Sequence, residues 1–186
     1  MIMKSVLLLR WLLCLLLVAC MSNNESIDPP LKTIESIDIT RYMGKWYEIT
    51  KYPNRFQQKC ISGTSAEYSL RQDGSVQVIN RCKTAEGEMA EAIGQALQVG
   101  GSTIPKLQVR FAPAWLSFLP MVWGSYWIID LDPNYSLAAV SEPTRQYLWV
   151  LSRTPTVDSV SYQALLKRLE TKGFNLAKLE KPVGVQ

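Results

Sequence analysis

Four cysteines, no histidine and a carboxylate beside a tryptophan are the groups with which this chain could do chemistry. The missing histidine is the hardest constraint. It removes histidine-based nucleophile triads, a histidine-ligated haem and most catalytic zinc sites. Glu48, in the run Gly44-Lys45-Trp46-Tyr47-Glu48, is a candidate acid or base. One carboxylate without a second titratable partner is weak ground for proton transfer. Cys14 lies inside an N-terminal apolar run and Cys20 closes it, so Cys60 and Cys82 remain. In an oxidising compartment two remaining thiols read as a disulfide; the alternative is one reactive thiol, with no imidazole to activate it. The expectation is a protein that is not an enzyme and needs no cofactor or metal.

Charge narrows the partners further. The chain carries 20 Lys and Arg against 16 Asp and Glu, a net +4 at neutral pH. Lys4 and Arg10 fall in the first residues, and without them 18 basic and 16 acidic side chains remain, a net charge of about +2. No basic cluster stands out, so nucleic acid is not an expected partner.

The first residues read as a targeting segment rather than as fold. Lys4 and Arg10 supply positive charge around Val6 to Val18, an apolar run too short for an ordinary membrane span. Leu17-Val18-Ala19-Cys20 resembles a bacterial lipoprotein signal. That resemblance implies removal of residues 1–19, acylation of Cys20 and a lipid anchor. Met21 rather than Asp after the cysteine implies sorting to the outer membrane, with the protein facing the periplasm. Residues 20–33, polar and carrying Pro29-Pro30, read as a flexible tether. A single domain of ordinary size follows over 34–186.

Within it, short runs at regular spacing predict strands at about 45–52, 63–71, 75–82, 89–99, 106–112, 124–131, 136–142 and 146–152. Asp73-Gly74 is a two-residue hairpin signal, and Gly100-Gly101 and Glu142-Pro143 mark further turns. Asp38 to Tyr42 reads as a short helical turn before the first strand. Val157 to Lys172 repeats apolar residues at helical spacing (Val160, Leu165, Leu166, Leu169) and stops at Gly173.

Gly44-Lys45-Trp46-Tyr47-Glu48 at the first strand and Trp149-Val150-Leu151-Ser152-Arg153-Thr154-Pro155 at the last resemble the lipocalin family. The resemblance implies an all-β fold: an eight-stranded up-and-down antiparallel barrel with a C-terminal α-helix packed outside. Trp46 would plug its closed end and Arg153 would lie across the indole face. The family's Thr-Asp-Tyr type signature is matched loosely by Leu131-Asp132, and Pro133 departs from it. Alternating connections put Asp132 to Tyr135 at the closed end and both Cys60 and Cys82 at the open end, which suits a bridge. The tether is expected to leave from the closed end.

Period-two alternation then assigns inward faces. Glu48 and Thr50 share the side of Trp46, with Arg153 as the expected partner of Glu48. Tyr147, Trp149 and Leu151 share the side of Arg153. The other strands turn inward Ala66, Tyr68 and Leu70; Val76, Val78 and Asn80; Leu107, Val109 and Phe111; Tyr126 and Ile128; Ala138 and Val140. Tyr68, Val78, Asn80, Phe111, Tyr126, Ile128, Tyr147 and Trp149 are the expected ligand-binding residues, with Tyr126, Tyr147 and Asn80 near the mouth to orient a head group. The resemblance implies small hydrophobic ligands, fatty acid or lysophospholipid, bound, stored or carried at the outer membrane with a role in envelope maintenance or stress. Two other readings remain: an enzyme on the same barrel, and a filled barrel that serves as an interaction protein. The connection Ala112 to Trp123 is strongly apolar for a loop. It reads either as a lid packed on Tyr52 and Phe56 or as a contact for membrane or for a second subunit in a homodimer.

Overall fold

A computed structural model describes residues 29–181 and 183–186. The expected signal segment 1–19, the expected acylation site Cys20 and the first part of the expected tether lie outside the described residues.

A short helix α1 (Ile39–Tyr42) precedes eight strands: β1 (Gly44–Lys51), β2 (Ser62–Leu70), β3 (Val76–Lys83), β4 (Met89–Gln98), β5 (Lys106–Arg110), β6 (Gly124–Leu131), β7 (Leu137–Ser141) and β8 (Leu148–Ser152). Helix α2 (Ser159–Thr171) follows. Each strand pairs with the next in antiparallel fashion, and β8 returns to β1, so the sheet closes on itself in the expected order. Closure leaves no unpaired edge. At the β2–β3 turn Gly74 adopts φ +81°, a conformation that suits glycine, and Asp73 Oδ1 accepts hydrogen bonds from the Ser75 amide and hydroxyl.

Two expected boundaries move for local reasons. β8 begins at Leu148, not at 146, because Glu142 gathers the preceding residues into a turn, accepting from the Thr144 and Gln146 amides. β5 stops at Arg110, whose guanidinium turns back to the carbonyl of Ala112.

A register shift between Glu48 and Thr50 corrects the expected inward set. Glu48 lies opposite Leu151, but Thr50 lies opposite Val150, which packs outside the barrel. The extra residue, Ile49, reverses the alternation. Thr50 therefore faces out, where its hydroxyl donates to the Glu180 carbonyl. Lys51, opposite Trp149, takes the inward place.

The core has two layers. One fills the barrel around Trp46, Val76, Val78, Leu107, Ile128 and Val140. The other lies between the sheet and α2, where Ile49, Ile129, Leu148 and Val150 meet Tyr162, Leu165 and Leu169. Asp158 caps α2 by accepting from the Ser161 amide, and Gly173 follows the helix at φ +85°. Val160, expected on the apolar face, is 75% exposed, and Tyr162 is buried instead. Arg168 of α2 clamps buried Asp130 of β6 through two 2.8 Å hydrogen bonds.

The N-terminal strap overturns the expected exit from the closed end. The Pro29 carbonyl accepts from Arg145 Nη2 in the β7–β8 connection, which is at the open end. Leu31 is buried in the outer layer, and the Ile37 amide donates to Thr103 in a closed-end turn. The strap thus enters at the open rim and runs down the barrel's side. Packing begins ahead of residue 34.

Candidate functional site

Trp46 closes the lower end of the barrel. Its ring nitrogen donates to the Tyr42 carbonyl at 2.9 Å, and the Arg153 guanidinium lies 4.1 Å from its ring centroid. Arg153 also donates to three carbonyls, of Tyr135, Lys45 and Arg41, so its position over the indole is fixed from several sides.

Above Trp46 three tyrosines form a floor. The Tyr126 hydroxyl is 2.8 Å from that of Tyr42 and 3.0 Å from that of Tyr68. Tyr42 stacks between Trp46 and Tyr68, at centroid distances of 4.9 and 5.8 Å. Burial pushes the Tyr68 phenol up to about 12 and holds those of Tyr42 and Tyr126 well above the usual tyrosine range. Tyr126 therefore belongs to the floor. The expectation that it stands near the mouth is corrected: its hydroxyl is engaged by two neighbours well inside.

Over this floor the barrel opens on one side. The inward positions of β4 are Ala90, Ala92, Gly94 and Ala96, opposite Cys82, Asn80, Val78 and Val76. Such small side chains take up little of the barrel's width. The Phe111 ring spans part of that width: a Cβ at Gly94 would lie only 2.8 Å from it. Low in the barrel Val76, Val78, Ala96, Leu107 and Ile128 are buried, whereas Asn80, Ala90, Val109 and Trp149 are half-buried and Ala92 is exposed. Phe111 is 44% exposed. The cup is thus shallow and open over β3 to β5.

The facing wall, on β1 and β8, is polar. Lys51 Nζ donates to Glu48 at 2.8 Å and pairs with Glu180 at 2.9 Å. Gln57, from the β1–β2 loop, donates to Glu48 at 2.6 Å and accepts from Trp149 Nε1 at 2.9 Å. Burial opposes charge on Lys51, but its two carboxylate partners outweigh it and hold its pKa above the usual value. Glu48 is therefore partnered by Lys51 and Gln57, not by Arg153 as the spacing implied.

The expected ligand residues divide into two groups. Val78, Ile128, Tyr68 and Tyr126 build the floor; Asn80, Phe111, Tyr147 and Trp149 face the open part. Tyr147 stacks on Trp149 at 5.8 Å. Sequence reasoning missed Tyr42, Lys51, Gln57 and the small-residue face of β4. The alternation Ala90, Ala92, Gly94, Ala96 is a signal that period-two reading can find. Gln57 gives none, because a loop has no period.

At the rim, Cys60 and Cys82 are bridged with Cα atoms 5.5 Å apart, so the β1–β2 loop is tied to β3. The connection after β5 forms two single 3-10 turns, Ala114–Leu116 and Pro120–Val122. Trp115, Phe118 and Met121 in it are 72%, 73% and 86% exposed. The partners expected for a lid are engaged elsewhere. Tyr52 turns outward to Phe174, and the Phe56 ring rests 5.5 Å from Tyr147.

Comparison with known proteins agrees with this architecture. The family described as "Lipocalin-like domain" matches residues 37–183. The chain is 38% identical over 171 residues to "Outer membrane lipoprotein Blc" of Vibrio cholerae, covering 90% of this chain and 93% of that protein. It is 36% identical over 153 residues to "Temperature-induced lipocalin-1" of Arabidopsis thaliana, covering 81% of each. Among solved structures, insecticyanin from the tobacco hornworm Manduca sexta superposes with a TM-score of 0.64 at 17% identity, covering 83% of this chain and 84% of that one.

Proposed function

The chain belongs to the lipocalin family, whose members bind small hydrophobic ligands, and from that premise we propose that it holds a single-chain lipid at the bacterial outer membrane. The open space between the small-residue face of β4 and the Tyr147–Trp149 wall, above the tyrosine floor, carries this reading. An acyl chain would lie against Val109, Phe111 and Trp149, where removal of apolar area from water drives binding at about 25 cal/mol per Å² before the costs of association.

The polar wall favours a lysophospholipid over a fatty acid. Lys51 is the cation beside the open part of the cup, above the floor that separates it from Arg153, and two carboxylates hold its ammonium. A bare carboxylate can engage only the Lys51 half of that wall and leaves Glu48 with one partner fewer. A head group bearing both signs can place phosphate toward Lys51 and ammonium toward Glu48. Asn80 and Tyr147 add neutral hydrogen-bonding groups nearer the opening.

Acylation of Cys20 would anchor the protein. The name of the Vibrio relative, an outer membrane lipoprotein, supports that address and a periplasm-facing role in binding or carrying envelope lipids, including under stress. A binding role is favoured over an enzymatic one because the two cysteines left for a nucleophile are bridged to each other. Titration of Trp fluorescence with lysophosphatidylethanolamine and with palmitate tests the assignment. Ala92→Trp, which fills the cup from β4, should weaken lysophospholipid binding at least ten-fold without lowering the melting temperature. Unchanged affinity would place the ligand elsewhere.

A further inference from the structure

The geometry points to the open rim as a bilayer-docking surface, with the Trp115–Met121 loop seated among lipid head groups and the mouth of the cup facing the membrane. The inference rests on the proposed acylation of Cys20 for its anchor. Two independent observations carry it.

The first is where the described chain begins. Pro29 is held at the open end by Arg145, and eight residues lie between it and Cys20. The nine peptide links from Cys20 to Pro29 reach at most about 30 Å when fully extended. The barrel wall, built from tilted strands of about eight to ten residues, is roughly 20–25 Å tall. Passing the closed end would use up most of that reach, whereas the rim lies beside the point of attachment, so the anchored mouth is turned toward the bilayer.

The second is the distribution of exposed aromatic rings. Among the described residues the exposed aromatics are Phe56, Phe111, Trp115 and Phe118, and all lie at the open end. Residues 111–123 contain no charged side chain. An uncharged, aromatic, protruding loop matches the interfacial layer of a membrane, where rings with one apolar side settle. Rim charges nearly balance: Arg55, Lys59, Lys83 and Arg145 stand against Glu86, Glu88 and Glu142. Docking is therefore driven by apolar insertion rather than by attraction to anionic lipid, and a ligand can pass between leaflet and cup without crossing water.

Vesicles of phosphatidylethanolamine and phosphatidylglycerol carrying bromine-labelled acyl chains test this. On the full acylated chain, an environment-sensitive dye at Met121→Cys should shift to the blue and be quenched severalfold, and one at Leu70→Cys, at the closed end, should not. In the mature chain carrying Cys20→Ser, Trp115→Asp with Phe118→Asp should lower vesicle partitioning at least ten-fold and leave lysophospholipid affinity unchanged. Partitioning should vary less than two-fold between low and physiological salt. Two solvent-like probes, or undiminished partitioning of the double variant, would overturn the proposal. So would a dimer that Phe118→Asp dissociates, because a second copy would then own the rim. A missing acyl mass on Cys20 would remove the anchor, and partitioning of the unacylated chain would still decide the docking.

Discussion

Removing the hydroxyl of Tyr126 strips a partner from both Tyr42 and Tyr68 at once. Buried hydroxyls left unpaired are costly, so Tyr126→Phe should destabilise the protein by about 2 kcal/mol in urea unfolding. The same three phenols set an alkaline limit. Their folded-state pKa values lie above those of the unfolded chain, so as pH rises the folded state retains protons that the unfolded chain has already lost. The stability they contribute is complete below pH 10.0 and, for Tyr68, is lost as pH rises through about 12. Ultraviolet titration at pH 11 should show these three phenols still protonated while exposed tyrosines ionise. Arg153 is a second single-residue test. Arg153→Ala deletes three carbonyl bonds and the indole contact, and a loss of about 3 kcal/mol is expected with little change in lipid affinity. An equal fall in affinity would mean that the closed end shapes the cup directly.

At the scale of elements, helix α2 and the β1–β2 loop make separable contributions. Leu169 is fully buried beneath the helix, and Leu169→Ala should cost about 3 kcal/mol while the barrel stays closed by far-ultraviolet circular dichroism. Reducing the Cys60–Cys82 bridge, which closes 22 residues, should cost about 3 kcal/mol. It should also loosen Gln57, seen as a weaker lipid affinity, since that side chain links Glu48 to Trp149. Strands and helix were legible in sequence because alternation and helical spacing report directly which faces are buried. The pairing of Trp46 with Arg153 was legible from its motifs. Reading failed where one residue breaks the period: the bulge at Ile49 turns Thr50 outward and Lys51 inward. It failed again for contacts made across space, such as Gln57 on Trp149 and Pro29 on Arg145, since no spacing in the chain encodes them. Tyr126 was assigned to the correct face but the wrong depth, because periodicity gives direction and not how far a long side chain reaches.

For the whole molecule, the barrel's two ends do different work. The lower end is a solid plug of Trp46, Arg153 and three tyrosines, which gives the fold its rigidity. The upper end has only small side chains on the inward face of β4 and carries the apolar rim. Such a division suits a lipid that enters acyl-chain first and stops at the floor. Native mass spectrometry of the mature chain with Cys20→Ser, equilibrated with an envelope lipid extract, tests the lipid-cup reading most directly. One adduct per chain with the mass of a lysophospholipid, abolished by Ala92→Trp and retained in Arg153→Ala, is the predicted result. A folded protein that takes up no lipid at any concentration would contradict it and identify the barrel as filled.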